Sequence, residues 1–513
     1  MKTKTGLIPQ KVISFFGSLI ASSFMACFFL TSCNSKDDLL NPASDDAGTL
    51  TSKLLHCDKI FTVSPSGNYN DDSYNIQTAL NAAVAAGHGS TVQLTKGTFY
   101  LKGRIEVDEF DGFFKGAGKD KTIITTHDVV DFNISNGDTP ALFKFRHGNN
   151  NISDLTIKIS DPEPGNNADW GNALPCAIDI TGNSIENPGT KDQPSRATFN
   201  NVKFVGGVGN LAGYNVAYFI MIGWEGWPPD PYAYSLNGGI KITNCEFQTA
   251  YYCIWSDFTK GPLTIGGSES SGNKFENTEL GIEADDVDNS CSNISFNHFK
   301  KIYWTGINLW QGSIITTVSL SKYLVYSNDI EVISRIPESD FTNAIWLVDA
   351  GIFNGVYKDT RMDINVSNNK LYLHNIGFAG ILGECPGNVV VTNNKIWGSA
   401  FAGIACGIFD NAPIGWETTS GWFLKGNNVQ ELNVHISPSW WTPPFQAAPI
   451  WLGQGTNNFI VYADKKDILD EGTNNIVIGD HNKRNGHSSP LQIKEEMIRH
   501  HDRMKWHHHP DMK

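Results

Sequence analysis

A chain of 513 residues exceeds what one hydrophobic core usually serves, so it holds either several domains or an elongated repetitive fold. Charged residues make up only 18% while glycine and aromatics are plentiful, which disfavours long amphipathic helices and favours short strands joined by turns. A formal net charge of −14 with no basic stripe argues against a nucleic-acid backbone as partner, because phosphate binding needs clustered Lys and Arg.

Lys2, Lys4 and Lys11 precede an apolar run from Val12 to Leu30 that ends in Leu30-Thr31-Ser32-Cys33. Residues 1–33 therefore read as a signal peptide and not as a fold element. The last four residues resemble the lipobox of bacterial lipoproteins, which implies lipidation at Cys33 and a membrane anchor there. The following Asn34-Ser35-Lys36-Asp37-Asp38 resembles the acidic export signal of Bacteroidetes lipoproteins, which implies an outer-membrane lipoprotein displayed at the surface; a solvated linker with incidental charge fits the same residues. Residues 34–56, rich in Ser, Asp and Asn, form a tether. Nine cysteines less Cys27 and Cys33 leave seven, an odd number with no CxxC spacing, so neither a disulfide framework nor a zinc site is expected.

The body, residues 57–480, opens with Asp72-Ser73-Tyr74-Asn75-Ile76-Gln77-Thr78-Ala79-Leu80-Asn81-Ala82-Ala83, an amphipathic helix with an acidic or Ser cap. Strand-like Thr91–Tyr100 and the Gly-rich stretch from Phe114 to Ile124 follow. A pattern of apolar, any, apolar, turn, Asn, any, apolar then recurs. It appears at Ile294–Phe299, Val325–Ile330, Val366–Leu371 and Val391–Ile396, with looser copies around Val202, Cys245, Asn273 and Asn427. The closest copies stand about 24 to 28 residues apart, which is solenoid periodicity with loop insertions in the wider gaps.

A second strand follows each Asn turn and aligns on one isoleucine: Ile178, Ile220, Ile254, Ile282, Ile307, Ile345, Ile381, Ile404 and Ile450. Two residues later stand Ile180, Ile222, Ser256, Ala284, Leu309, Leu347, Gly383, Cys406 and Leu452, a column of apolar or small residues suited to stacking inside a coil. These repeats resemble the coils of the pectate-lyase-like superfamily, and the helix, strand and Gly-rich turn at the start of the body resemble its N-terminal cap. The resemblance implies an all-β, right-handed parallel β-helix with an N-terminal capping helix over about residues 59 to 480. It leaves function open, because that scaffold hosts lyases, hydrolases, epimerases and phage adhesins. Beyond residue 480, residues 481–513 read as a short C-terminal helix and a His-rich tail. A solenoid capped at both ends is stable as a monomer.

Three motifs are set aside. Gly116-Ala117-Gly118-Lys119 lacks the spacing and the Ser or Thr of a phosphate loop. Gly87-His88-Gly89 matches a polygalacturonase motif but lies in the cap, ahead of the first coil. Asp285-Asp286 matches the paired aspartates of that family, yet no Asn-Thr-Asp or Arg-Ile-Lys partner accompanies them, so none of its roles is carried over.

The first and third residues after each isoleucine face outward and supply Asp179, Trp255, Asp257, Glu283, Asp285, Asn308, Trp310, Trp346 and Glu384, with Asp286 and Asp349 just beyond their strands. Coils stacked about 4.8 Å apart turn these into one stripe of acids and indoles. Such a stripe suits a sugar, whose apolar face stacks on indole and whose hydroxyls donate to carboxylates; the plainer alternative buries the tryptophans under loops as satellite core. Trp224-Glu225-Gly226-Trp227-Pro228-Pro229-Asp230 and Trp440-Trp441 serve either reading as walls or lids.

Paired carboxylates hydrolyse glycosides, so Glu283, Asp285 and Asp257 are the candidate catalytic centre, with Glu384 a further candidate from a later coil. Trp255, Trp310, Trp346, Asn308, Asp286 and Asp349 are the candidate substrate contacts. Elimination is the second reading. It needs a basic residue and commonly Ca²⁺, which the acidic stripe could hold; His298, Lys260 and Arg335 are available only from turns. A surface glycan-binding protein or adhesin that does not cleave is the third.

Overall fold

The computed structural model describes residues 59–131, 141–159, 176–181, 196–208, 214–223, 238–257, 259, 261–285, 291–311, 322–335, 342–349, 352–353, 356–357, 362–385, 387–407, 419–429, 431–434 and 447–479. Residues 1–56 with Cys33, the Trp224–Asp230 and Trp440-Trp441 segments, Lys260, Asp286 and residues 481–513 lie outside the described residues, as does the side chain of Asp349.

Among the described residues thirty strands form one continuous sheet wound into a right-handed parallel β-helix, and a two-stranded antiparallel pair, Ile352–Phe353 with Val356–Tyr357, stands apart. One α-helix among the described residues, Tyr69–Ala86, covers the N-terminal coils. It begins three residues before the expected start, because Asn68 supplies the cap by accepting from the Asn70 N–H. Asp72 has a different task. It is fully buried, and its carboxylate accepts from the backbone N–H and hydroxyl of Ser66 and from the Tyr100 N–H, fastening the helix to the strand Gly97–Gly103.

Each coil contributes to three walls, and on each wall a column of paired residues runs from coil to coil. On the first, Phe204, Phe247, Phe275 and Phe299 are paired coil to coil and stack inside the cylinder with centroids 5.0, 4.8 and 4.4 Å apart. On the second, all nine aligned isoleucines are direct partners from Ile178 to Ile450, and the column extends to Phe143 and Ile105 at one end and to Ile468 at the other. On the third, Ile265, Ile294, Val325, Val366, Val391, Leu424 and Val461 form the matching column.

The turn between the third and first walls carries an asparagine ladder. Asn273, Asn297, Asn328, Asn369, Asn394 and Asn427 follow one another, and each of the first five donates from both its backbone N–H and its Nδ2 to the Oδ1 of the next, at 2.9 to 3.1 Å. The second Nδ2 hydrogen goes to a backbone carbonyl of the preceding coil, as from Asn328 to Ile294 at 2.9 Å. The ladder thus satisfies the buried polar groups of a turn whose preceding residues, Phe296, Ser327, Asn368 and Asn393, are held at φ between 55° and 58°. Six cysteines fall among the described residues, none in a disulfide; Cys245, Cys253, Cys385 and Cys406 are buried in the interior core.

Gly383 shows how a small residue enters the inward column: a Cβ there would lie 1.9 Å from the ring of Trp422, which fills that level of the cylinder and donates its indole N–H to the Cys385 carbonyl.

Asn328→Ala takes their side-chain partner from the backbone N–H and Nδ2 of Asn297 and from the Ile294 carbonyl, at about 1–3 kcal/mol each where water cannot reach, while the Asn369 Oδ1 keeps the backbone N–H of residue 328. Its urea midpoint should fall well below that of the wild type and further than that of Asn427→Ala, at the half-buried end of the ladder. Equal midpoints for wild type and Asn328→Ala would contradict the ladder's role.

Candidate functional site

The outside of the second wall is where the expected site residues meet. One residue after each isoleucine, the column runs Lys144, Asp179, Met221, Trp255, Glu283, Asn308, Trp346, Leu382, each paired with the next. Three residues after, Asp285, Trp310, Val348 and Glu384 pair in sequence. Asp257 follows Ser256, the partner of Ala284, as Asp285 follows Ala284, so it stands one coil away at the same height.

Glu283 and Asp285 leave one strand, Lys274–Asp285, on the same side, their backbones about 6.5 to 7 Å apart. Both are half-buried. Glu283 accepts from the Asn308 Nδ2 at 3.2 Å, and Asp285 accepts from the Trp255 indole N–H at 3.1 Å. Burial pushes the Glu283 carboxyl up to about 7, against which the Asn308 hydrogen bond pulls it down. Tyr218 and Tyr252 stand beside it, and burial, then the Glu283 carboxylate, holds both hydroxyls well above the ordinary phenol range, so they remain donors. Trp255 rests on these two rings, 4.8 Å from Tyr218 and 6.4 Å from Tyr252 between centroids.

Several expected contacts take other roles. Trp346 is 3% exposed, packs edge-on against Trp310 at 5.9 Å, and joins Leu382, Phe401, Ala405 and Trp451 in an apolar cluster on the outside of the wall. For this coil the satellite-core alternative describes the molecule, and Trp346 is a packing residue instead of an open platform. Asn308 is buried and turned to Glu283. Glu384 is buried three coils from Asp285, about 14 Å at the coil spacing, which removes it from any bond that Glu283 and Asp285 share. Asp179 is paired with the Lys144 ammonium at 3.4 Å, both buried.

Tyr218, Tyr252 and Trp304 were not expected here. Strict alternation puts the residue two before each isoleucine inside, yet Tyr218 and Tyr252 belong to an outer cluster, while the residues between, Phe219 and Cys253, lie in the interior core. Two consecutive residues face inward where the wall bends. In the next coils that extra inward position is Gly281 and Gly306, where a Cβ would come within 2.6 Å of Phe299 and 2.7 Å of the Ala344 carbonyl, respectively. The recurring glycine before the isoleucine was the available signal.

Among the described residues no group of three or more His, Cys, Asp or Glu side chains converges to hold a metal ion, and no helix is long and apolar enough to cross a membrane. The molecule is a parallel β-helix whose second wall carries paired acids set among aromatics.

No family model matches the chain, and no curated protein does. Solved structures do. The A-module of the mannuronan C-5 epimerase AlgE6 of Azotobacter vinelandii is 12% identical, with a TM-score of 0.33 over 79% of this chain and 95% of its own. A mutant tailspike protein of E. coli bacteriophage HK620 is 12% identical, with a TM-score of 0.41 over 83% and 77%. A mutant DFA-IIIase of Arthrobacter chlorophenolicus A6 in complex with DFA-III is 11% identical, with a TM-score of 0.43 over 82% and 99%. The likeness is one of fold, and identities this low fix no residue correspondence.

A carboxyl raised by burial carries a sign. Between its ordinary value of 4.5 and about 7, the folded chain keeps a proton on Glu283 that the unfolded chain has released. The stability this contributes is full below the ordinary range and is lost as pH rises through 7. The wild type should therefore lose urea resistance relative to Glu283→Gln as pH goes from about 5 to about 8. Asn308→Ala should move the Glu283 midpoint higher, read from its carboxyl ¹³C shift. A midpoint near 4.5 in the folded wild type would contradict the assignment.

Proposed function

We propose that this chain is a polysaccharide-cleaving glycoside hydrolase, with Glu283 as general acid and Asp285 as general base. One observation carries the reading: two carboxyl groups share a face of one strand in unlike surroundings, Glu283 raised by burial and Asp285 held by an indole N–H. Unlike environments assign unlike roles. A protonated Glu283 gives its proton to the glycosidic oxygen, while Asp285 draws one from a water on the opposite side of the sugar ring. Backbones about 6.5 to 7 Å apart are compatible with an inverting pair, whose carboxyl groups stand about 6.5 to 9.5 Å apart with a water between them. Asp257, one coil away and buried, adds a third acid at the same height of the wall.

Elimination is less well supported. Its candidate bases are engaged elsewhere: His298 lies 3.6 Å from Asp329 on the first wall, and Arg335 is paired with Glu279 at 2.9 Å.

The body from about residue 57, freed of the lipid-bearing leader, should release new reducing ends from a member of a polysaccharide panel without an ultraviolet-absorbing double bond. Glu283→Gln and Asp285→Asn should each lower kcat by about a hundredfold or more with KM little changed, and kcat should fall as pH rises above about 7. An unsaturated product would replace hydrolysis with elimination. Retention of a glycan without new ends would make the chain a binding protein, and turnover intact in both variants would remove these residues from the chemistry.

A further inference from the structure

The second wall offers little room for a chain laid along the coil axis. On the column that holds Trp255 and Glu283, the flanking residues are closed: Met221 is 4% and Asp179 0% exposed on one side, Trp346 3% and Leu382 0% on the other. The open aromatic surface runs another way. Trp255, Tyr251, Tyr303 and Trp304 are half-buried. Trp255, Tyr251 and Trp304 sit beside buried Tyr252, whose ring lies 6.4 Å from Trp255 and 6.0 Å from Trp304, with fully buried Leu280 in the same cluster.

We propose that this surface seats a neutral glycan obliquely across three successive coils, from Trp255 past Glu283 to a second platform at Trp304. The inference rests on the carbohydrate reading of the same wall and adds to it the direction of the chain and the class of sugar. Tyr218 and Tyr252 hold Trp255 from beneath, and Tyr252 holds Trp304, so both indoles are fixed before ligand arrives and lose little freedom on binding.

Arg335 secures the far end. Its guanidinium lies 4.4 Å over Tyr303 and 5.2 Å over Tyr214, donates to the Tyr214 hydroxyl at 2.5 Å, and pairs with Glu279 at 2.9 Å. Those residues come from separate coils, so one planar cation ties the outer face together across them. The Glu279 carboxylate offsets its charge. With Glu283 held toward its neutral form by burial, what remains along the path is the Asp285 carboxylate, which repels a uronate and accepts hydroxyl hydrogens.

The test is native affinity electrophoresis of the Glu283→Gln body in gels containing galactomannan, arabinoxylan, xyloglucan, levan, polygalacturonate or alginate. At least one of the four neutral polymers should retard it. Trp255→Leu and Trp304→Leu, which keep apolar volume but lose the indole face, should each weaken that retardation by about tenfold or more, while Trp397→Leu on the first wall should leave it unchanged. Unchanged thermal melting of the Leu variants would show that the platform, not the fold, has been lost. Loss with Trp255→Leu alone overturns the oblique path and leaves a sugar site in place. Retardation only by polygalacturonate or alginate, or by none, overturns the neutral-glycan assignment. If retention through both indoles is found while the wild type releases no reducing ends, the platform stands and the hydrolase reading falls.

Discussion

Parallel pairing between successive coils, about 4.8 Å apart, is the constraint on which every other feature depends. Trp255, Glu283 and Asn308 are separated by 28 and 25 residues in sequence, yet the register makes each the direct partner of the next. Nothing local in those strands would bring a carboxylate to an amide. The phenylalanine stack on the first wall and the ladder at the turn leading into it hold the same coils in register. A slip by one residue would therefore break polar pairs and ring stacking together, besides turning the acids inward.

Given that register, burial decides what each outward residue does. An acid under enough cover is pushed toward the neutral state even where an amide donates to it, as burial does to Glu283, while Asp285 two residues on takes an indole hydrogen. Indoles behave in parallel fashion. Trp346 and Trp451 are sealed into an apolar cluster and contribute to stability, while Trp255 and Trp304 keep part of their surface open above a tyrosine base. One stripe of similar residues thus divides into a packed section and an accessible one.

The repeating parts of the molecule could be read from the sequence because each coil states them again. The isoleucine column, the apolar residues two positions on and the asparagine turns each appear many times, and their partners match the alignment residue for residue. What could not be read arises once or depends on distant cover. Strict alternation misplaced Tyr218 and Tyr252, since the wall bends by turning two residues inward. Trp346 looked like an open platform because neighbouring outward positions also carried polar or aromatic residues; its burial depends on what packs over it, which periodicity does not encode. Glu384 belonged to the right column but the wrong coil, and alignment by column hides distance along the axis. Helix capping by Asn68 in place of Asp72 followed from a buried task for Asp72, bonding to Ser66 and Tyr100 across chain separations that no local motif reports.

Coil register is tested most directly by cross-linking on the second wall. Cysteines replacing Trp255 and Glu283 would lie on direct Cα partners, within the span of roughly 4.4 to 6.8 Å that a disulfide bridges, whereas cysteines replacing Trp255 and Asp285 would be about 8 Å apart. Mild oxidation should close the first pair readily and the second poorly, as seen by peptide mass analysis. Equal closure of both, or closure of the second alone, would contradict the register and with it the neighbourhood of acids and indoles.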